Sequence, residues 1–281
     1  MFFNEQGNPS ESSIDRFKYP IHVVTLFLLL CTPLLLISCS DNPASTDNND
    51  DNKVNREVAW EQTLESNANN WLTDEVSGPT GWCGDIVHHT SNNGPYEASN
   101  GSGYAIAEHG ACNDYWQENG FPSSGPYAFY GKRFDQWPSG GFAQSLDIFL
   151  NPAWAAGPEG SVFTFSNAFR LLDGEYPNNL RYVYIPVTKK NGKMRVAGNE
   201  ISGRGWYNFH VDFTDNEGNL QVQFTLRRDG NQLFTEELTE TAISEEKTSS
   251  FEANNIGNGY AWFVAINPNL RIPFDEQERL E

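Results

Sequence analysis

Positive charge is what this chain has least of. Its 281 residues hold 18 Lys and Arg against 37 Asp and Glu, a formal net charge of −19. Duplex nucleic acid requires a basic surface, so that class of partner is excluded. Nonspecific adhesion to anionic polymers is disfavoured for the same reason, although a local basic patch could still bind one. Cysteine is scarce, with four in the chain, and no CxxC or HxxxH spacing marks a metal site. There is no G-x-S-x-G, HExxH or phosphate-binding loop. From about Glu57 onward no long stretch has the apolar period of a helix. These absences remove helical bundles and the common motif-bearing hydrolases and nucleotide enzymes.

What is present begins with one apolar run. Ile21 to Ser38 reads IHVVTLFLLLCTPLLLIS, follows Arg16 and Lys18, and gives way to polar sequence after Cys39. Leu36-Ile37-Ser38-Cys39 resembles the lipobox of a bacterial lipoprotein signal, in which a small residue precedes a cysteine that is lipidated and becomes the new N-terminus. The resemblance implies residues 1–38 as signal, Cys39 as lipidation site, and a membrane partner through acyl chains that each contribute about 0.8 kcal/mol per buried CH₂. Localisation would then be the cell envelope, at the outer membrane or cell surface. The alternative is a retained membrane anchor, for which the run is borderline, since a span needs about 20 apolar residues.

Residues 39–56 continue as SDNPASTDNNDDNKVNR after the cysteine, a composition too polar to bury itself and expected to form a disordered acidic tether. Removing 1–38, which carries a net −1, leaves −18 on the mature chain. Residues 57–281 are the size of one large all-β domain, expected to be a monomer. Cys31 leaves with the signal, so Cys83 and Cys112 remain as an even pair in an exported domain. They are expected to form a disulfide, with a metal pair as the alternative. Closing that loop contributes roughly 3–4 kcal/mol in the chain-entropy model.

The domain is written in short alternating runs between Gly, Asn, Asp and Pro clusters, the pattern of an all-β sandwich. Leu146, Ile148 and Leu150 alternate with Ser145, Asp147 and Phe149; Val183, Ile185 and Val187 with Tyr182, Tyr184 and Pro186. Tyr207, Phe209, Val211 and Phe213 alternate with Trp206, Asn208, His210 and Asp212; Leu220, Val222, Phe224 and Leu226 with Gln221, Gln223, Thr225 and Arg227. Each strand has one face for a core and one that is polar or aromatic. Asn191-Gly192 and Asp229-Gly230 are hairpin turns. Tyr260 to Ile266 reads as the last long strand, and only Gly103 to His109 reads as strand between Pro79 and Pro126. Many strands without helices favour two packed sheets with jelly-roll connections.

Gly140-Gly141-Phe142, the strand to Leu150 and the turn Asn151-Pro152-Ala153-Trp154 resemble exported bacterial concanavalin A-like (laminin-G-like) jelly-roll domains of unassigned activity. Gly205-Trp206-Tyr207-Asn208-Phe209 and Tyr260-Ala261-Trp262-Phe263 fit the same layout, and the resemblance runs from about Trp71 to Pro273. It implies a two-sheet jelly-roll β-sandwich whose concave sheet binds or cleaves polysaccharide, an analogy from fold. A structural calcium is possible in such a fold, although no EF-hand pattern occurs.

Sugars pack their CH faces on aromatic rings and pair hydroxyls with amide or charged groups. Tyr182, Tyr184, Trp206, Asn208 and His210 supply that mixture, with Asp147 and Lys132 as further ligand candidates if their strands share the sheet. A polysaccharide lyase acting on a uronate glycan by β-elimination is the alternative, with His109 as base, Tyr130 as acid, and Arg133 and Arg170 neutralising the carboxylate. His88 and His89 flank the same cysteine loop. A glycosidase is the less expected enzyme, because it needs paired carboxylates and the E-x-D-x-E strand of concanavalin A-like glycosidases is missing. A structural or adhesive surface protein is the third possibility. The tip lysines Lys189, Lys190 and Lys193 are either solvated or a polyanion-steering patch.

Replacing both Cys83 and Cys112 by Ser should lower the melting temperature under oxidising conditions. An unchanged melt would rule out the disulfide.

Overall fold

The computed structural model describes residues 56–72, 85–108, 124–131, 136–157, 160–175, 178–242, 245–264 and 270–281. Cys39, Cys83, Cys112, His109, Lys132 and Arg133, and with them the expected lipidation site and disulfide, lie outside these residues.

The strands are β1 (Val58–Gln62), β2 (Trp71–Leu72), β3 (Asp85–Thr90), β4 (Gly103–Glu108), β5 (Ser124–Phe129), β6 (Phe142–Leu150), β7 (Ser161–Leu171) and β8 (Leu180–Lys190), then β9 (Lys193–Val196), β10 (Asn199–Glu200), β11 (Gly205–Asn216), β12 (Asn219–Arg228), β13 (Asn231–Glu237), β14 (Ile256–Val264) and β15 (Arg271–Leu280). Among the described residues they form two sheets. Sheet A runs β13-β12-β11-β6-β15-β4-β3, with β1 also pairing β15; sheet B runs β10-β9-β8-β7-β14-β5-β2. Neighbouring strands pair antiparallel throughout, so the all-β, two-sheet sandwich expected from the sequence is the observed fold.

The alternation decides which faces meet. Tyr207, Phe209, Val211 and Phe213 of β11 are buried while Trp206, Asn208, His210 and Asp212 between them stay partly exposed. β12 buries Leu220, Val222, Phe224 and Leu226, and β8 buries Val183, Ile185 and Val187. The sheets meet through aromatic rings. Phe165 on sheet B meets Phe209 on sheet A edge-on at 5.9 Å, and Phe169 meets Phe213 at the same distance. Phe213 in turn stacks on Phe142 at 4.5 Å. Such pairs are worth about 0.5–1.5 kcal/mol beyond their area.

Turn chemistry sets the hairpins. Asn191-Gly192 and Asp229-Gly230 both have two consecutive positive φ angles, the two-residue turn that matches strand twist. Glu217-Gly218 closes β11 onto β12 in the same way, with Glu in place of Asn or Asp at the first turn position and the Gly218 N–H donating to Asp215 at 2.6 Å. The glycine pair ahead of β6 also has a backbone reason. Gly141 has φ +82°, and a Cβ there would sit 2.0 Å from the Phe213 carbonyl oxygen.

Three elements differ from the sequence expectation. The chain does not end on the strand near Tyr260: β15 follows, and its run of Asp, Glu, Gln and Arg concealed it. β3 and the start of β5 fall in the stretch where only β4 was expected, since His88-His89 and Pro126 break any simple alternation. Arg56, assigned to the tether, is fixed to the domain: its guanidinium pairs with Asp212 and donates to the Gly140 carbonyl at 2.9 Å.

Phe263 packs against Trp71, Phe163, Phe165 and Phe274 and is fully buried. Phe263→Ala should cost about 3–5 kcal/mol in urea unfolding. A loss under about 1 kcal/mol would contradict this packing.

Candidate functional site

The expected ligand residues fall on two different faces. Trp206, Asn208 and His210 (β11) and Asp147 (β6) share the outer face of sheet A, where Asn208 lies directly opposite Asp147. Tyr182 and Tyr184 belong to β8, on the outer face of sheet B. Alternation tells which side of its own strand a residue occupies; it does not tell which sheet the strand joins. The expected set therefore does not share one face: Trp206, Asn208, His210 and Asp147 are together on sheet A, and Tyr182 and Tyr184 are apart from them on sheet B. On sheet B, Tyr182 packs instead into an aromatic cluster, with its ring 4.9 Å from Trp262 and its hydroxyl 3.2 Å from that of Tyr260.

The lyase residues within the described set do not converge. Tyr130 is fully buried in the core, 6.1 Å from the Trp60 ring, and burial pushes its phenol up, away from any role as a solvent-facing acid. Arg170 lies on the opposite side of sheet B, beside Gly257 and Leu180 in register. Of the histidines, His88 donates to the Leu64 carbonyl at 2.7 Å. The tip lysines have structural work: Lys189 donates to the carbonyls of Pro152 and Trp154, 3.0 Å each, and Lys193 pairs with Glu200 at 2.7 Å.

The outer face of sheet A grades from aromatic to acidic to salt-bridged. At the aromatic end, the Trp206 ring stands edge-on to Phe149 at 5.5 Å and to Tyr104 at 6.3 Å. Tyr96 packs on Phe149, His89 stacks on Tyr104, and the Arg204 guanidinium covers Phe149 at 5.6 Å. In the middle, the Asn208 amide donates to Asp147 at 2.9 Å and accepts from Arg227 at 3.4 Å. Asp147 lies directly opposite Asp275 of β15. A bulge then follows, with Glu276 at φ +42°, and Glu278 comes opposite Ser145, whose hydroxyl lies 3.4 Å from its carboxylate. At the far end, His210 contacts Asp212 at 3.0 Å, with Arg56 on the same carboxylate.

The β3–β4 loop lies over this face and is tied down at several points. The Trp206 indole donates to the Glu97 carbonyl at 2.9 Å. The backbone N–H and hydroxyl of Ser99 both donate to Asp275, at 2.9 and 3.1 Å. Glu65 accepts from the Ser102 N–H and hydroxyl and from the Gly103 N–H, and these donors hold its carboxyl below its usual range. A loop so anchored is a fixed wall, which is how loops carry binding residues on a rigid scaffold.

Four carboxyls on this face, Asp147, Asp275, Glu276 and Glu278, have their proton affinity raised. Burial pushes Asp275 up to about 7, against donors from Ser99, Glu276 and Asn100. Burial, then the charges of Asp275, Asp147, Glu278 and Glu65, raise Glu276 to about 7. Asp147 and Glu278 are raised mainly by burial. Burial also works against ionised Asp212, but His210 and Arg56 outweigh it and hold that carboxyl low. Among the described residues no three His, Cys, Asp or Glu side chains are placed to hold a metal ion. A separate open groove, lined by Ser66, Asn67, Trp71, Asp85 and His88, lies at the β2 and β3 edges, away from these carboxyls.

The sequence reading missed Asp275, Glu276 and Glu278 because it missed β15. It missed Ser99 and Tyr96 because a loop folding back over a sheet leaves no periodic signal, and Tyr104, on the expected strand β4, because GYAIAE does not alternate apolar with polar.

No family model matches the chain, and no curated protein matches it in sequence. Solved structures to which the chain is similar include an endo-1,3-beta-glucanase from Streptomyces sioyaensis, 11% identical over 86% of this chain and 99% of that one, TM-score 0.39. Lectin I from Ulex europaeus, solved with the methyl glycoside of alpha-L-fucose, is 10% identical over 75% of this chain and 98% of that one, TM-score 0.36.

Unfolded carboxyls release their protons near about 4, whereas Asp275 and Glu276 hold theirs to about 7 when folded. The folded state therefore binds more protons in between, and these groups make stability fall as pH rises from about 4 toward 7. Asp275→Asn should flatten that fall in melting temperatures measured between pH 5 and 7.5. A variant that loses stability as steeply as the parent would contradict the assignment.

Proposed function

We propose that this protein is a surface-anchored lipoprotein, held through Cys39, that binds a polysaccharide on the outer face of sheet A. The observation that carries this reading is the fixed row Trp206, Asn208, Asp147: an aromatic ring next to an amide and a carboxyl oriented by hydrogen bonds. Rigid aromatic surface for sugar CH groups beside preset donors and acceptors for hydroxyls is the chemistry that glycan recognition needs. The accumulated carboxyls on this face favour a neutral glycan over a uronate-rich one. This weighs against the lyase, whose acid candidate Tyr130 is also in the core. An adhesive surface has less support: the exposed large apolar residues among those described are Val58, Tyr184 and Leu233, scattered over three strands.

A second reading is favoured by one observation, Asp147 facing Asp275 across the β6–β15 pair with both carboxyls raised. A carboxyl kept protonated near neutrality beside a second carboxyl is the equipment of glycoside hydrolysis.

Affinity electrophoresis through gels cast with different polysaccharides, then stained for degradation, tests both. Retardation in a neutral polysaccharide that leaves the gel intact is the expected result. Trp206→Ala should abolish it and Tyr184→Ala should leave it. Loss with Tyr184→Ala alone would move the site to sheet B. A cleared zone that vanishes in Asp147→Asn would make the protein a hydrolase.

A further inference from the structure

The space between the sheets is not uniformly apolar. Gln144 and Gln277 of sheet A and Asn167 and Tyr130 on the sheet B side are all buried to 1% exposure or less. The amide nitrogens and oxygens of Gln144 and Asn167 and the Gln62 side-chain oxygen have no hydrogen-bond partner in the protein, while the Tyr130 hydroxyl and the Gln277 amide have only each other within reach.

These groups occupy one layer. Asn167 lies between Phe165 and Phe169 on β7, and those two rings meet Phe209 and Phe213 on β11. Asn167 therefore faces the level of Val211, which pairs with Gln144. Gln144 pairs in turn with Arg279, while Gln277, two residues along β15, pairs with Gln62 and neighbours the Tyr130 hydroxyl. Beside Asn167 in sheet B come Ala261 and then Ala128, the small side chains in this layer.

Amide groups removed from solvent are paired in native interiors, with protein or with ordered water. A polar cavity offering several partners holds water, whereas an apolar one stays dry. We propose that the sandwich encloses an ordered water cluster bridging Gln144, Gln277, Asn167 and the Tyr130 hydroxyl. The one charge beside them, Arg279, is paired with Glu281 at 2.9 Å and donates to the Tyr130 carbonyl at 2.7 Å, and the remaining groups are neutral and offer donors and acceptors in similar number, which suits water. The cluster lies directly behind the acidic face. Gln144 precedes Ser145, and Gln277 sits between Glu276 and Glu278, so the same bulge turns one amide inward to the water and two carboxyls outward.

Water oxygen-17 relaxation dispersion on the full chain reads long-lived internal water. The unmodified protein should give a dispersion step that shrinks by half or more in Gln144→Leu/Asn167→Leu, with the circular dichroism spectrum retained. No step in the parent, or an equal step in the folded variant, would overturn the proposal. Should the variant fail to fold, a crystal structure of the parent decides the matter. Solvent density within hydrogen-bond reach of both Gln144 and Asn167 supports the cluster. Amides bonded directly to one another, or xenon taken up in the same space, would overturn it.

Discussion

The register of β6 between β11 and β15 is the constraint on which the rest depends. Phe209 pairs with Leu146 and Ile148 with Phe274, which places these side chains toward sheet B. The intervening pairs, Asn208 with Asp147 and Asp147 with Asp275, then point outward. A slip of one residue would carry the carboxyls into the core and the phenylalanines into solvent. The aromatic contacts across the sandwich make that slip costly. The geometry of the outer face is thus held by packing on the inner one.

That face concentrates groups that repel one another. Burial raises the proton affinity of Asp147, Asp275, Glu276 and Glu278, and neighbouring carboxylates add to it at Glu276 and Glu278. The chain tolerates this through local donors. Ser99 covers Asp275, Asn208 covers Asp147, and the bulge at Glu276 lets β15 place three acidic residues within four positions. Clusters of perturbed carboxyls beneath an anchored loop are a feature of functional sites, although structural networks produce them too. The aromatic border at Trp206, Tyr96 and Tyr104 sets ring faces beside this acidic patch, the feature on which the proposed glycan binding rests.

Much of the fold was legible because alternation is a direct report of the sandwich. β6, β8, β11 and β12 were read with the correct residues inside, and the Asn-Gly and Asp-Gly turns between strands were equally plain. β15 was not legible: its outward residues are charged, its inward ones include Gln277 and Arg279, and Pro273 interrupts it, so no face is consistently apolar. The site was half legible for the same reason. Trp206, Asn208, His210 and Asp147 stand on strands with strong alternation. Their partners came from an unread strand and from a loop whose position depends on contacts distant in sequence. Tyr182 and Tyr184 had the right chemistry and period, but sheet membership is set by pairing order, which composition does not record.

We propose that sheet A, and not the aromatic cluster of sheet B, carries the ligand face. The most direct test is an indole N–H chemical-shift titration with an oligosaccharide of the polysaccharide that retards the protein. The account predicts a dose-dependent shift of the Trp206 indole resonance, together with the Asn208 side-chain amide, and a Trp262 resonance that stays in place. A Trp262 shift with Trp206 unmoved would contradict it and transfer the site to the other sheet.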